Sequence, residues 1–395
     1  MSNLPDLSGK TILQMIPQLD AGGAERAVID MADAIKRAGG RALVASQGGR
    51  LEADLRAAGG ELIEMGAARK NPFTLLQNAK TLEGLIAEHT VDLVHARSRA
   101  PAWSALRATQ KSATPFVTTY HGAYSGNGFW LKKLYNSVMA RGDLVIANSG
   151  WTGAHVRDVH QIDNDQIIVI PRGIDFEQFD AEKVSPERIT AQRQIWGLAS
   201  DNTRTVLLLP ARLTDWKGQR LALKAISGLA PEERADLVLV MVGDAQGRQS
   251  YVQKIEQDIA AFGLLECTRL AGHCTDMPAA LLAADIVLAP SLKPEAFGRT
   301  AAEAAAMGRP VIAADHGGAQ ETVIEGESGT RFEPGDANAL TAAIRSLLSI
   351  GPVARNGMGQ SGRHHVLQHF SRQGLQAATL SVYSALIAQG KPVQE

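Results

Sequence analysis

Short, nearly continuous apolar segments alternate with amphipathic ones along most of this chain. In the first half the apolar segments are Thr11–Ile16, Arg41–Ser46, Glu61–Met65, Asp92–His95, Phe116–Tyr120, Leu144–Asn148 and Ile167–Ile170. Amphipathic stretches such as Glu25–Ala38 and Thr74–Glu88 separate them. The rhythm stops over a charged, irregular stretch around Asp180–Asp201. It restarts with Thr205–Leu209, Leu237–Val242, Thr268–Ala271, Ile286–Ala289 and Val311–Ala314. Strands apolar on both faces and alternating with helices predict parallel sheets covered by helices on both sides. Two runs of that pattern predict two Rossmann-like α/β domains, residues 1–178 and 179–371, with a hinge near Phe176–Phe179. An amphipathic helix running to Ala388 follows Phe370-Ser371.

Composition narrows this picture. A length of 395 residues suits two domains, and 45% hydrophobic residues suffice for two cores. With 40 basic and 41 acidic residues the formal charge is −1, so no overall field favours nucleic acid. The two cysteines, Cys267 and Cys274, make no disulfide framework and point to a reducing cytoplasm. With His273 they fit no common zinc spacing, and a fourth ligand is missing. Met1–Lys10 is polar, without the apolar centre of a signal peptide, and no run approaches the roughly 18 apolar residues of a membrane span. The protein is therefore expected to be cytoplasmic, soluble or peripheral.

The candidate chemistry lies mostly just after predicted strands, where open α/β sheets bind ligands. After the strand ending at Ala289 the chain reads Glu295-Ala-Phe-Gly-Arg-Thr-Ala-Ala-Glu303, two glutamates around a glycine. An alanine-rich helix should begin near Gly298 and stop at Gly308 and Pro310. The amides of Phe297, Gly298, Arg299 and Thr300 would then face an anion at the helix start. The same residues would equally serve as a helix cap and an exposed glutamate. Arg212 ends the first strand of the second half, and Lys217-Gly218 precedes the next helix. A guanidinium fork and a lysine point charge suit a diphosphate. Gly22-Gly23 opens the first helix, and His121 ends the strand Phe116–Tyr120. Asp163-Asn-Asp165 matches D-x-D, but it precedes a strand and reads as a solvated turn. No phosphate-binding G-x-x-x-x-G-K-[ST] is present.

The run from Glu295 through Gly308-Arg-Pro-Val-Ile-Ala-Ala-Asp-His-Gly-Gly-Ala-Gln-Glu321 resembles the retaining GT4 nucleotide-sugar glycosyltransferases, which have the GT-B fold. Their E-x-F-G, second glutamate, G-x-P-V-I-A and G-G-x-x-E occur here in order. The resemblance implies two Rossmann-like domains facing across a cleft. It also implies that the last helix, within 372–395, crosses back to complete the first domain. Site roles follow residue by residue. Glu295 would hold the donor sugar, Glu303 the ribose, and Arg212 and Lys217 the diphosphate. His121 would touch the sugar, and Gly22 and Gly23 would approach the ligand. Backbone groups after Gly243, and from His273 to Met277, would line the nucleotide. His95 and Arg97 would serve the acceptor. Arg172 stands where the family's P-N-G-V-D has asparagine and inherits no role. No metal or other cofactor is implied.

Catalysis would be transfer of a hexose-type sugar from a UDP- or GDP-sugar to a glycan or glycolipid hydroxyl. The setting would be surface polysaccharide, lipopolysaccharide or glycolipid assembly. A sugar-nucleotide epimerase or a non-catalytic nucleotide-sugar binder are the alternatives. Residues 129–141, with Trp130, Lys132, Lys133 and Arg141, read either as a domain helix or as a helix on the inner, anionic face of a membrane.

Overall fold

The computed structural model describes residues 4–20, 22–69, 71–122, 130–199 and 201–390. The chain forms two compact units, one from its start to Gly173 plus the segment from Arg372 onward, the other Ile174–Ser371. The sequence reading put the first change after residue 178.

Unit 1 holds seven parallel strands: β1 Thr11–Met15, β2 Arg41–Ser46, β3 Gly60–Glu64, β4 Leu93–Ala96, β5 Phe116–Tyr120, β6 Leu144–Ala147 and β7 Ile167–Val169. Their order is β3-β2-β1-β4-β5-β6-β7, so the direction of winding reverses between β1 and β4. Each sheet face carries its own apolar core. One is built on Ile12, Val28, Val44 and Leu93, the other on Leu13, Leu43, Val94 and Phe116. The helix Arg372–Gln389 belongs to unit 1 and buries Leu380, Val382 and Tyr383. Local chemistry starts the helices. Asn71 accepts the Thr74 amide at 2.7 Å with Pro72 at the first position, and Ser149 accepts the Thr152 amide at 3.0 Å.

Unit 2 holds six parallel strands: β8 Thr205–Pro210, β9 Leu237–Val242, β10 Thr268–Gly272, β11 Ile286–Ala289, β12 Val311–Ala314 and β13 Gly329–Phe332. Their order is β10-β9-β8-β11-β12-β13, with the reversal between β8 and β11. Strand β13 was not foreseen. Its sequence, G-T-R-F, is half polar, and pairing with β12 recruits it. Asp163-Asn-Asp165 falls in the exposed turn before β7. Among the described residues no helix is long and apolar enough to cross a membrane, and no three metal-ligating side chains cluster.

Candidate active site

In unit 2 the loops after β8 and β11 meet where the strand order reverses, the place where such sheets open a crevice. Two glycines let them meet. Gly218 adopts φ +79°, and a Cβ there would stand 2.0 Å from the Pro290 carbonyl oxygen. The Leu292 amide donates to the Trp216 carbonyl at 2.7 Å. This contact delivers Lys217 to Glu295, whose Oε1 accepts from Nζ at 2.7 Å and from the Ser291 hydroxyl at 2.5 Å. The side chains are only 12% and 19% exposed. An ammonium has three protons, so this bond leaves Lys217 able to donate elsewhere. The ammonium also lies 4.4 Å from the centre of the Trp216 ring.

A second pair of glycines fixes Glu295 from behind. Gly317, at φ +64°, would place a Cβ 2.4 Å from the Glu295 carbonyl oxygen. Gly318 would place one 2.3 Å from the Phe297 backbone. The Gly318 amide donates to the Glu295 carbonyl at 2.8 Å. The G-G of the G-G-x-x-E motif is thus the floor of the glutamate loop. Phe297 anchors that loop by its ring, 4% exposed and edge-on to Phe370 with centroids 5.4 Å apart. Only its backbone remains for a ligand.

Gly298, at φ +78°, then starts the helix Arg299–Ala306 without a side-chain cap. Uncapped amides at a helix start are ready for an anion. Glu303 sits one turn in and accepts from Arg299 Nε, with its own side chain 12% exposed. Arg212 is exposed, and its guanidinium donates to Gln246 Oε1 at 3.5 Å. Its loop is held by Gly243, where a Cβ would stand 1.9 Å from the Ala211 carbonyl oxygen. His273 is exposed after β10, and Met277 begins the helix Met277–Ala283, capped by Asp276.

Unit 1 places Gly22, Gly23, His95, Arg97 and His121 at or just past the ends of β1, β4 and β5. Gly23 opens the helix Gly23–Arg37, and its carbonyl accepts from the Arg172 guanidinium. A Cβ on Gly23 would lie 2.4 Å from that guanidinium, which gives Arg172 a bracing role that the sequence left blank. Neither ring nitrogen of His121 has a partner among the described residues. Burial first, then the charges of Arg97 and Arg172, push its pKa well below the ordinary histidine value, so the ring is neutral.

His95, expected from the resemblance to serve the acceptor, lies inside unit 1. It is fully buried, with Nδ1 2.5 Å from the Tyr383 hydroxyl and Nε2 2.7 Å from Thr119 Oγ1. Arg97, 5% exposed, donates to Gln14 Oε1 at 3.0 Å. Both belong to an internal polar network tied to the last helix, because buried polar groups must find partners. Sequence reasoning missed Tyr383, Gln14 and Ser291. None lies in a motif, and Tyr383 comes from the far end of the chain. Residue 129 lies outside the described residues, and Trp130–Ser137 is a helix.

Comparison with known proteins gives the family and the fold. Residues 190–365 match the model for glycosyl transferases group 1, and residues 21–178 match that for glycosyltransferase family 4. The chain belongs to the GT4 glycosyltransferases of GT-B fold. A glycosyltransferase structure from Rickettsia africae is 35% identical with a TM-score of 0.87, covering 96% of this chain and 99% of that one. Anabaena HepE, solved in complex with UDP-glucose, is 26% identical with a TM-score of 0.80, covering 95% and 100%. The GDP-mannose-dependent alpha-(1-6)-phosphatidylinositol monomannoside mannosyltransferase of Mycolicibacterium smegmatis is 28% identical over 76% of this chain and 79% of its own length.

Proposed function

We propose that this protein transfers a hexose-type sugar from a UDP- or GDP-sugar to a hydroxyl acceptor, with retention at the anomeric carbon and without a divalent metal. The observation that carries the reading is the Lys217–Glu295 pair beside the uncapped helix at Gly298. Negative charge grows on the diphosphate as the glycosidic bond breaks. Lys217, Arg212 and the amides of Gly298, Arg299 and Thr300 stabilise it from fixed positions. Glu295, held by Lys217 and Ser291, orients the sugar hydroxyls. Glu303 takes the ribose, and backbone from His273 to Met277 takes the base. The acceptor hydroxyl attacks on the face that the diphosphate leaves.

The relatives' names support a nucleotide-sugar donor with either uracil or guanine. The phosphatidylinositol monomannoside in one relative's name supports a glycolipid acceptor, and we extend the reading to glycan acceptors in surface polysaccharide, lipopolysaccharide or glycolipid assembly. Thermal shift with UDP, GDP and ADP and their sugars selects the donor, since ligands of the native state raise Tm. Transfer is then followed by NMR of the new anomeric centre. A product of inverted configuration, or epimerised donor in the absence of acceptor, would overturn the reading.

A further inference from the structure

The helix Gly351–His369 of unit 2 contains none of the motif residues, yet it reaches the supports of the glutamate loop at several points. At the C-terminal end of the helix Arg299–Ala306, Arg363 donates to the Ala306 carbonyl. A guanidinium there satisfies an orphan carbonyl and complements the helix dipole. Gly359 lets the two segments touch, since a Cβ on it would stand 1.9 Å from the Gly308 carbonyl oxygen. His365 Nε2 lies 2.8 Å from the Glu321 carbonyl oxygen. A carbonyl only accepts, so Nε2 carries the proton and donates. Glu321 belongs to the short helix Ala319–Thr322, and its own amide donates to the Gly318 carbonyl at 3.1 Å. His365 thus holds, from behind, the turn whose glycines floor Glu295.

Phe370 follows directly after this helix. Its ring is 5% exposed and edge-on to both His365 and Phe297, with centroids 5.4 Å away in each case. Its amide donates to the Val366 carbonyl at 2.9 Å, and its carbonyl accepts the Ile174 amide at 2.7 Å. Ile174, Phe297, Val366 and Phe370 share one apolar core. The ring is therefore fixed by backbone on both sides. Phe297 stands between Glu295 and the helix start at Gly298, so a shift of its ring displaces both. A close-packed interior passes such a shift on, because it has few voids to absorb it.

We propose that His365 and Phe370 are positioning residues: they hold Glu321 and Phe297, and so set where the Glu295 carboxylate and the amides of Gly298, Arg299 and Thr300 stand. The proposal rests on the transfer reading. Full-length wild type, His365→Leu, His365→Gln and Phe370→Leu are compared by Tm, by the Kd of UDP or GDP, and by donor turnover. The donor is UDP-glucose or GDP-mannose, whichever raises the wild-type Tm. Turnover is read as nucleoside diphosphate released, with water taking the sugar. His365→Leu and Phe370→Leu should each lower kcat roughly ten- to hundredfold, the loss that misplacement alone can cause. KM and the nucleotide Kd should change little, as for contacts that matter chiefly in the transition state. His365→Gln, whose amide can donate to the same carbonyl, should recover most of the rate. Leu340→Ala, in the other core of unit 2, should lower Tm and leave kcat unchanged. Unchanged kcat in His365→Leu or Phe370→Leu, no recovery in His365→Gln, or an equal kcat loss in Leu340→Ala would overturn the proposal. If Phe370→Leu does not fold, the two His365 variants decide it. A wild type whose Tm neither donor raises would overturn the transfer reading and this proposal with it, a failure that wild type alone tells apart from the others.

Discussion

Lys217 Nζ donates to Glu295 Oε1 at 2.7 Å, joining a residue that follows β8 to one that follows β11. The two are 78 positions apart in sequence. The bond sets the glutamate's orientation and keeps the lysine beside the expected phosphates. Glu295→Ala should lower kcat strongly, and Lys217→Ala or Arg212→Ala should each slow transfer about a hundredfold, ~2.7 kcal/mol. Steady-state kinetics on folded variants check this. Wild-type rates in all three would remove the pair from the mechanism.

Glu303 is held by Arg299 one turn into the helix that begins at Arg299. Glu303→Ala should weaken nucleotide binding by about 1.5–3 kcal/mol while kcat changes little. Calorimetric titration with the free nucleotide reads the effect directly, and an unchanged Kd would reassign the residue to helix stability.

Gly317→Ala should be far more harmful than its size suggests, because the new methyl would lie 2.4 Å from the Glu295 carbonyl. Both Tm and kcat should fall. Gly335→Ala is the control. It has φ +81° but nothing within 4 Å of its Cβ, so it should cost about 1 kcal/mol of stability and no activity. Equal kcat in the two variants would separate the glycine floor from the glutamate's function.

Transfer should survive EDTA. On the proposed reading, Arg212, Lys217 and the amides at Gly298 would offset the diphosphate charge that a magnesium ion would otherwise carry. Magnesium should restore little to Lys217→Ala. Loss of wild-type activity in EDTA, recovered with magnesium, would show the diphosphate site to be wrongly assigned.

Stability should fall with acid through the neutral buried histidines. His95 and His121 have pKa values pushed well below 6.5, chiefly by burial. Above the unfolded value neither state binds the proton, so stability is full. Below about pH 6.5 the unfolded chain takes up protons that the native state refuses, costing up to about 1.4 kcal/mol per pH unit for each histidine. Tm plotted against pH should slope downward towards acid, and His121→Asn should remove about one proton's share of that slope. An identical slope in the variant would mean that His121 is protonated in the native state.

The sequence by itself determined the α/β class and most strands. Five of them, including Phe116–Tyr120 and Leu237–Val242, run as read from their apolar pattern, because a strand buried on both faces writes itself as a continuous apolar run. It also determined the glutamate loop, whose glycines and acids sit close together in the chain. Tertiary structure alone decided what depends on distant segments. Strand β13 forms because β12 offers an edge, and Lys217 meets Glu295 because Gly218 lets two loops touch. Burial likewise decided the roles of the histidines. His95 and His121 both close strands in sequence, yet Tyr383 and Thr119 saturate the first, while the second keeps both ring nitrogens without a partner among the described residues. Tyr383 lies 288 positions from His95, and only the packing of the last helix on unit 1 brings it there.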